Sequence, residues 1–166
     1  MNFNHSFQKI KNNIFKKENI FFFSMIIIIF FLDRFSKLQI LNQFNNNTVY
    51  INDFINFDLI WNTGIGFGLL SSNSILFYNL ISIIIGLVVL ILIYIFLISN
   101  KYEKFIYTLI IGGVLGNFYD RLIYQAVPDF IDLHYNNFHW FTFNVADIFI
   151  TLGILAFILS NFYIKK

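Results

Sequence analysis

Residues 74–98 run for twenty-five positions without one charged side chain. A helix needs about 20 mostly apolar residues to cross the hydrocarbon core of a bilayer. A run of that length and purity places this chain in a membrane rather than around an aqueous core. Three further runs of span length follow the same rule less strictly. One covers residues 20–40 and is interrupted by Asp33, Arg34 and Lys37. One covers 105–123 and ends in Asp120 and Arg121, and one covers 141–164 and holds Asp147 near its start. Only 12% of the 166 residues are charged, about half of what a soluble domain carries. The first run follows basic residues, as a signal peptide does, but no small-residue cleavage site follows it, so it reads as a retained helix.

The expected architecture is therefore a single integral membrane domain, all-α, with four transmembrane helices and two outer segments at 41–73 and 124–140. Orientation follows from the basic residues. Lys9, Lys11, Lys16 and Lys17 precede the first span, Lys101 and Lys104 lie between the second and third, and Lys165 and Lys166 end the chain. With four spans all eight fall on one side, which is the cytoplasmic one by the positive-inside rule, and both termini with them. All seven aspartates fall in the outer half or outer segments. The first outer segment alternates as "TVYI" and "NFDLIWN", a period of two that predicts a short half-buried hairpin or small sheet. It ends in "NTGIGFGLL", whose glycines suit tight turns. The second outer segment, with the only proline and "DFIDLHYNNFHW", is expected to be a loop whose aromatics rest in the membrane interface.

Composition removes several chemistries. There is no cysteine, hence no thiol nucleophile and no disulfide framework. His5, His134 and His139 lack ligand spacing along the chain, so neither a metal nor another cofactor is expected. The lysines cluster at ends and turns rather than on a basic face, which argues against nucleic acid.

The polar residues left inside the spans are the candidates for function, because ionisable groups near hydrocarbon are costly. Asp33 and Lys37 are four apart and share a helix face. They form either an ion pair with Lys37 snorkelling to the interface, or a device by which Asp33 holds another helix. Gly112 and Gly116 make a small-xxx-small pair for close helix approach. Asn117 and Arg121 suit a place beside a carboxylate, while Asp120 and Arg121 are adjacent and must bond other elements. Taken alone, Asp129 and Asp132 read as solvated loop acids. Asn144 and Asp147 lie three apart on one face of the last helix, about one turn below the outer surface. Asp129 and Asp147 can converge at the outer mouth of the bundle. Two carboxyls sharing a buried site hold one proton between them: one activates water, the other donates to a carbonyl oxygen.

In order along the chain, "DRFSK", "NTGIGFG", "GNFYDR", "VPDF" and "FNVAD" resemble the motifs of bacterial lipoprotein signal peptidase, or signal peptidase II. The resemblance spans residues 33–147. It implies an aspartic endopeptidase of the bacterial inner membrane, with its site near the outer face. Such an enzyme cuts the signal peptide from prolipoproteins just before a diacylglyceryl-modified cysteine. The resemblance implies Asp129 and Asp147 as the catalytic pair, with Asn117, Arg121 and Asn144 in support. Asp33, Lys37 and Asn62 match further motif positions. Asp120 takes a structural or supporting role and is the rival to Asp129 as partner of Asp147. The outer β-rich segment becomes a cradle on the membrane, and the aromatic loop after Asp129 a lid. Ile65 and Gly66 stand where the family's motif often has alanines. Prolipoproteins and membrane lipids are the implied partners, and four helices around one site suggest a working monomer. Two other readings are an ion or proton transporter, which needs polar residues continuing inward, and a non-catalytic scaffold with the aspartates as interhelical glue.

Overall fold

The computed structural model describes residues 16–43, 48–64 and 75–164. Four helices and four strands follow one another along the described residues: α1 (Lys17–Gln43), β1 (Val49–Asn52), β2 (Ile55–Asn62), α2 (Ile75–Ile98), α3 (Lys101–Tyr124), β3 (Val127–Tyr135), β4 (Phe138–Phe143) and α4 (Val145–Ile164). The basic N-terminal residues before Lys16, the C-terminal lysines and the glycine-rich motif beyond Gly64, including Ile65 and Gly66, lie outside the described residues.

Among the described residues, three helices are long and apolar enough to cross a membrane, over Lys17–Asn42, Tyr78–Ile98 and Val145–Phe162. Helix α3 is 24 residues long, about 36 Å at the helical rise, but carries Lys101, Glu103, Lys104, Asp120 and Arg121. It sits at the centre and packs against α1, α2 and α4. There Lys104, Asp120 and Arg121 are buried against neighbouring elements, while Lys101 stays exposed at the start of the helix. The outer faces of α1, α2 and α4 carry exposed Phe31, Phe35, Leu87, Leu90, Leu155 and Leu159, the band expected of helices that face hydrocarbon.

Glycines set how closely the helices approach. A Cβ on Gly112 would meet the Ile29 side chain of α1 at 2.7 Å, and one on Gly116 would overlap the Asp33 carboxylate. The expected pair thus faces α1. Gly113 faces the other way, onto α4, where a Cβ would lie 2.5 Å from the Ala146 carbonyl oxygen and 2.8 Å from Ile150 Cγ1. Backbone cannot yield as a side chain can, so Gly113→Ala is expected to cost about 1–3 kcal/mol by overpacking. Gly86→Ala, whose Cβ would meet only the ring end of Phe118 at 3.2 Å, is the control. Thermal unfolding of both variants in detergent should show the larger loss in Gly113→Ala.

The strands form one antiparallel sheet in the order β1-β2-β3-β4. The predicted β1–β2 hairpin is present, and β3 joins it, tying the segment after α1 to the segment after α3. Most of the second outer segment is therefore a β-hairpin rather than an irregular loop. It makes β3 and the first half of β4, around a turn in which Asn136 takes φ 52°. Asn tolerates that left-handed geometry better than most residues. Phe141–Phe143 end β4 rather than begin the last helix, so α4 starts four residues later than expected. One extra residue in β2 between Phe57 and Ile60, opposite Ile131 and Asp129, is a bulge that resets side-chain alternation where β2 reaches the polar centre.

Lys101 and Lys104 belong to the first turn of α3 rather than to a loop. Asn100 caps that turn, accepting from Glu103 N at 3.1 Å and donating its own N–H to Glu103 Oε2 at 3.2 Å. Lys104 is buried and donates to Asn19 Oδ1 at 2.7 Å. Between this pair and the polar residues at the other end of α1 and α3 lies an apolar cluster of Phe22, Ile26, Phe96 and Ile111. A transport path would have to cross it, which argues against the transporter reading.

Candidate active site

The site is assembled where β2, β3 and the start of α4 meet the far end of α1 and α3. Helix α3 ends at Tyr124, and Gln125 reverses the chain in a left-handed conformation, φ 55°. Strand β3 then begins, carrying Asp129. Asp129 is 3% exposed, so it is no solvated loop acid. Its Oδ2 accepts from Asn62 Nδ2 at 2.8 Å and its Oδ1 from Asn144 Nδ2 at 2.6 Å. Burial, and next the charge of Asp147, push its pKa up to about 6 despite those two donors.

Asn144 is the N-cap of α4, just outside the helix rather than on its face. Its side-chain oxygen accepts from Asp147 N at 3.1 Å, and its own N–H donates to Asp147 Oδ2 at 3.2 Å. This reciprocal pair is a capping box with Asp in the third helical position. It holds the Asp147 carboxylate at the positive end of α4. Asn144 thereby touches both aspartates: its amide group bonds Asp129 while its oxygen and backbone hold Asp147.

Lys37 and Asp33 fix the other side. Both are fully buried at 0% exposure, so Lys37 does not snorkel. Its Nζ lies 2.7 Å from Asp33 Oδ2, 2.7 Å from Asp120 Oδ2 and 2.9 Å from Asn117 Oδ1. Asn117 is oriented by that contact, and its Nδ2 donates to Asp147 Oδ1 at 2.8 Å. Asp33 Oδ1 accepts from Ala146 N at 2.9 Å, satisfying one of the free N–H groups in the first turn of α4. Asp33 thus holds another helix. Asp120 is paired with both Arg34 and Lys37, and Arg34 lies over the Tyr119 ring at 4.6 Å. Two cations surround Asp120, so its carboxylate is committed to the helix contact.

Arg121 lines the same cavity as Asp129 and Asp147. It donates from Nη2 to the Gly64 carbonyl at 2.8 Å and from Nη1 to the Asn117 carbonyl at 3.2 Å. Gly64 N in turn donates to Asn62 Oδ1 at 2.9 Å. Arg121 and Asn62 therefore pin the start of the glycine-rich segment. Arg121 Nε is buried with no hydrogen-bond partner among the described residues.

Asn62, Asn117, Arg121, Asp129 and Asp147 line one cavity of about 330 Å³, walled otherwise by apolar side chains such as Ile85, Val88, Val114 and Ile150. Asp33, Lys37, Asp120 and Asn144 stand behind it. The residues that the resemblance names as catalytic or supporting, Asp129, Asp147, Asn117, Arg121, Asn144, Asp33, Lys37, Asn62 and Asp120, thus lie in or directly behind one cavity. Three contributors were not anticipated. Arg34 had no assigned role, although it adjoins Asp33. Tyr78, whose hydroxyl donates to the Arg121 carbonyl at 3.1 Å, gave no signal within an apolar run. The Gly64 carbonyl is backbone and invisible to residue type.

Comparison with known proteins gives concordant results. A family model described as signal peptidase (SPase) II matches residues 25–163. The lipoprotein signal peptidase of Pelagibacter ubique is 47% identical over 145 residues, covering 86% of this chain and 87% of that one. That of Francisella tularensis subsp. novicida is 36% identical over 151 residues, covering 87% and 93%. Among solved structures, a bacterial membrane enzyme determined by the in meso method at 2.3 Å resolution superposes with a TM-score of 0.74 at 26% identity. It covers 87% of this chain and 89% of its own. A second, at 1.9 Å resolution, gives 0.69 at 27% identity, with coverages of 84% and 90%.

Proposed function

This chain belongs to the signal peptidase II family, and from that membership we propose that it removes signal peptides from prolipoproteins by an aspartic mechanism with Asp129 and Asp147 as the catalytic pair. The observation that carries the proposal is the convergence of two carboxyls on one apolar-walled cavity, each already holding hydrogen bonds and both tied to Asn144.

The chemistry follows from shared protonation. The ionised carboxylate takes a proton from a water molecule, whose oxygen attacks the scissile carbonyl carbon. The protonated carboxyl donates to the carbonyl oxygen, giving a neutral tetrahedral diol. The first carboxyl, now protonated, passes its proton to the amide nitrogen while the second takes one back from a diol hydroxyl, and the C–N bond breaks to give acid and amine. Asn144, Asn62 and Asn117 position the two carboxyls so that little reorganisation is needed during reaction. Arg121 Nε, buried and without a hydrogen-bond partner among the described residues, offers a donor to a substrate carbonyl. The apolar walls suit a signal segment arriving from lipid, and one chain supplies every group, consistent with a monomer.

On this reading α3 is the fourth span, the sheet rests at the outer surface of the bacterial inner membrane, and both termini are cytoplasmic. The cut falls before a diacylglyceryl-modified cysteine. Purified protein in detergent should release the signal peptide from a diacylglyceryl-modified prolipoprotein and leave the unmodified form intact, with the product mass fixing the cleaved bond. Cleavage of neither form by folded protein would refute the assignment.

The pH profile carries a sign. The active state needs one proton on the pair, and that proton is lost as pH rises through the pKa of about 6 of Asp129. The alkaline limb of kcat/KM is therefore expected near pH 6, as a property of the pair. Asn62→Ala removes a donor that favours ionised Asp129 and should move this limb upward. A limb unmoved by Asn62→Ala would detach Asp129 from the titration.

A further inference from the structure

A second polar cluster lies on the hairpin β3–β4. Alternation along β3 sends Asp129, Ile131 and Leu133 to one face and Asp132 and His134 to the other. His134 and His139 are register partners across the hairpin, and their rings stack with centroids 5.3 Å apart and planes 22° from parallel. His139 Nδ1 lies 2.7 Å from Asp132 Oδ2, and His134 Nδ1 lies 3.7 Å from the same oxygen. Linear spacing gave no hint of this, because the contact is made across strands. Asp132, expected to be a solvated loop acid, is buried at 4% exposure, and His134 at 5%. His134 Nδ1 is buried with no hydrogen-bond partner among the described residues. A buried ring nitrogen left unpaired is unfavourable and calls for an explanation.

We propose that Asp132, His134 and His139 form a binding site for a divalent first-row transition metal ion, with zinc the best match. Their donor atoms lie within 4.8 Å of one another. Two imidazole nitrogens and one carboxylate oxygen suit zinc and leave a fourth position for water. Bonds of about 2.0–2.1 Å in a tetrahedral site put donor atoms roughly 3.3 Å apart. The two carboxylate-to-imidazole separations, 2.7 and 3.7 Å, straddle that value, and all three donors lie within 4.8 Å, so side-chain adjustment without backbone movement can complete the site. The ion takes up the unpaired His134 nitrogen and replaces the proton shared by His139 and Asp132. Its effect is to cross-link β3 to β4. That hairpin carries Asp129 on one strand and leads into Asn144 from the other, so the ion braces the asparagine-to-aspartate bond of the cavity from the opposite face of the sheet. Binding itself does not depend on the peptidase reading.

The test uses full-length protein without an affinity tag, stripped with a chelator and titrated in detergent with Co²⁺ and then Zn²⁺. A single equivalent of Co²⁺ should develop ligand-field absorption that Zn²⁺ displaces, and Zn²⁺ should raise the melting temperature. His134→Phe and His139→Gln should each weaken binding at least about tenfold. His139 has a half-exposed side chain, so its replacement keeps the fold and reports on ligation alone. No saturable binding by folded wild type, or equal affinity in wild type and His139→Gln, would overturn the site.

Discussion

Lys37→Met is expected to lower the melting temperature of the detergent-solubilised protein by on the order of 10 °C. It should also reduce cleavage in whatever protein remains folded. Lys37 is fully buried and lies within 2.9 Å of Asp33, Asp120 and Asn117. Two buried carboxylates, Asp33 and Asp120, are balanced by Lys37 and Arg34. Removing one cation leaves an uncompensated negative charge, a change that costs about 3–5 kcal/mol in buried pairs. Asn117 also loses the contact that turns its amide towards Asp147. Adding Asp33→Asn removes the excess charge, so Lys37→Met/Asp33→Asn should recover part of the lost stability, a non-additivity expected of groups in contact. A snorkelling lysine would give a small shift in the single variant and nothing to recover in the double. That outcome would dissolve the buried network.

Much of this site could be read from residue types and spacing, for reasons that differ from place to place. Asp33 and Lys37 were legible because a helix puts i and i+4 on one face. Their burial was not, because it depends on Gly116 yielding room and on Asp120 arriving from α3. Asn144 and Asp147 were legible as a pair. The boundary between them was not, since β4 ends in apolar Phe141 and Phe143 and the last helix is equally apolar. Hydrophobicity alone does not separate a strand from a helix there. The capping-box pattern was present twice, at Asn100–Glu103 and at Asn144–Asp147, and it marks both helix starts. Strand β3 escaped notice because it is largely buried on both faces and so alternates little, which also hid Asp132. The His134–His139 pairing is a matter of strand register, which spacing along the chain does not encode.

The largest expected effect belongs to the aspartate pair itself. Asp129→Asn and Asp147→Asn keep the size of each side chain and remove its ability to exchange a proton. Each is expected to lower kcat by at least about 10²–10⁴. The two losses should not multiply in the double variant, because the pair acts as a unit. Asp120→Asn is expected to differ in kind. Its carboxylate meets Arg34 and Lys37 rather than the cavity, so it should lose stability and keep measurable turnover. The most direct measurement is therefore cleavage of a diacylglyceryl-modified prolipoprotein by purified wild type and by Asp129→Asn, Asp147→Asn and Asp120→Asn, each first shown to be folded by its melting transition. Loss of cleavage in the first two variants, with turnover retained in the third, is the result predicted here. Full activity in folded Asp129→Asn or Asp147→Asn would contradict it and return the two aspartates to the role of interhelical glue.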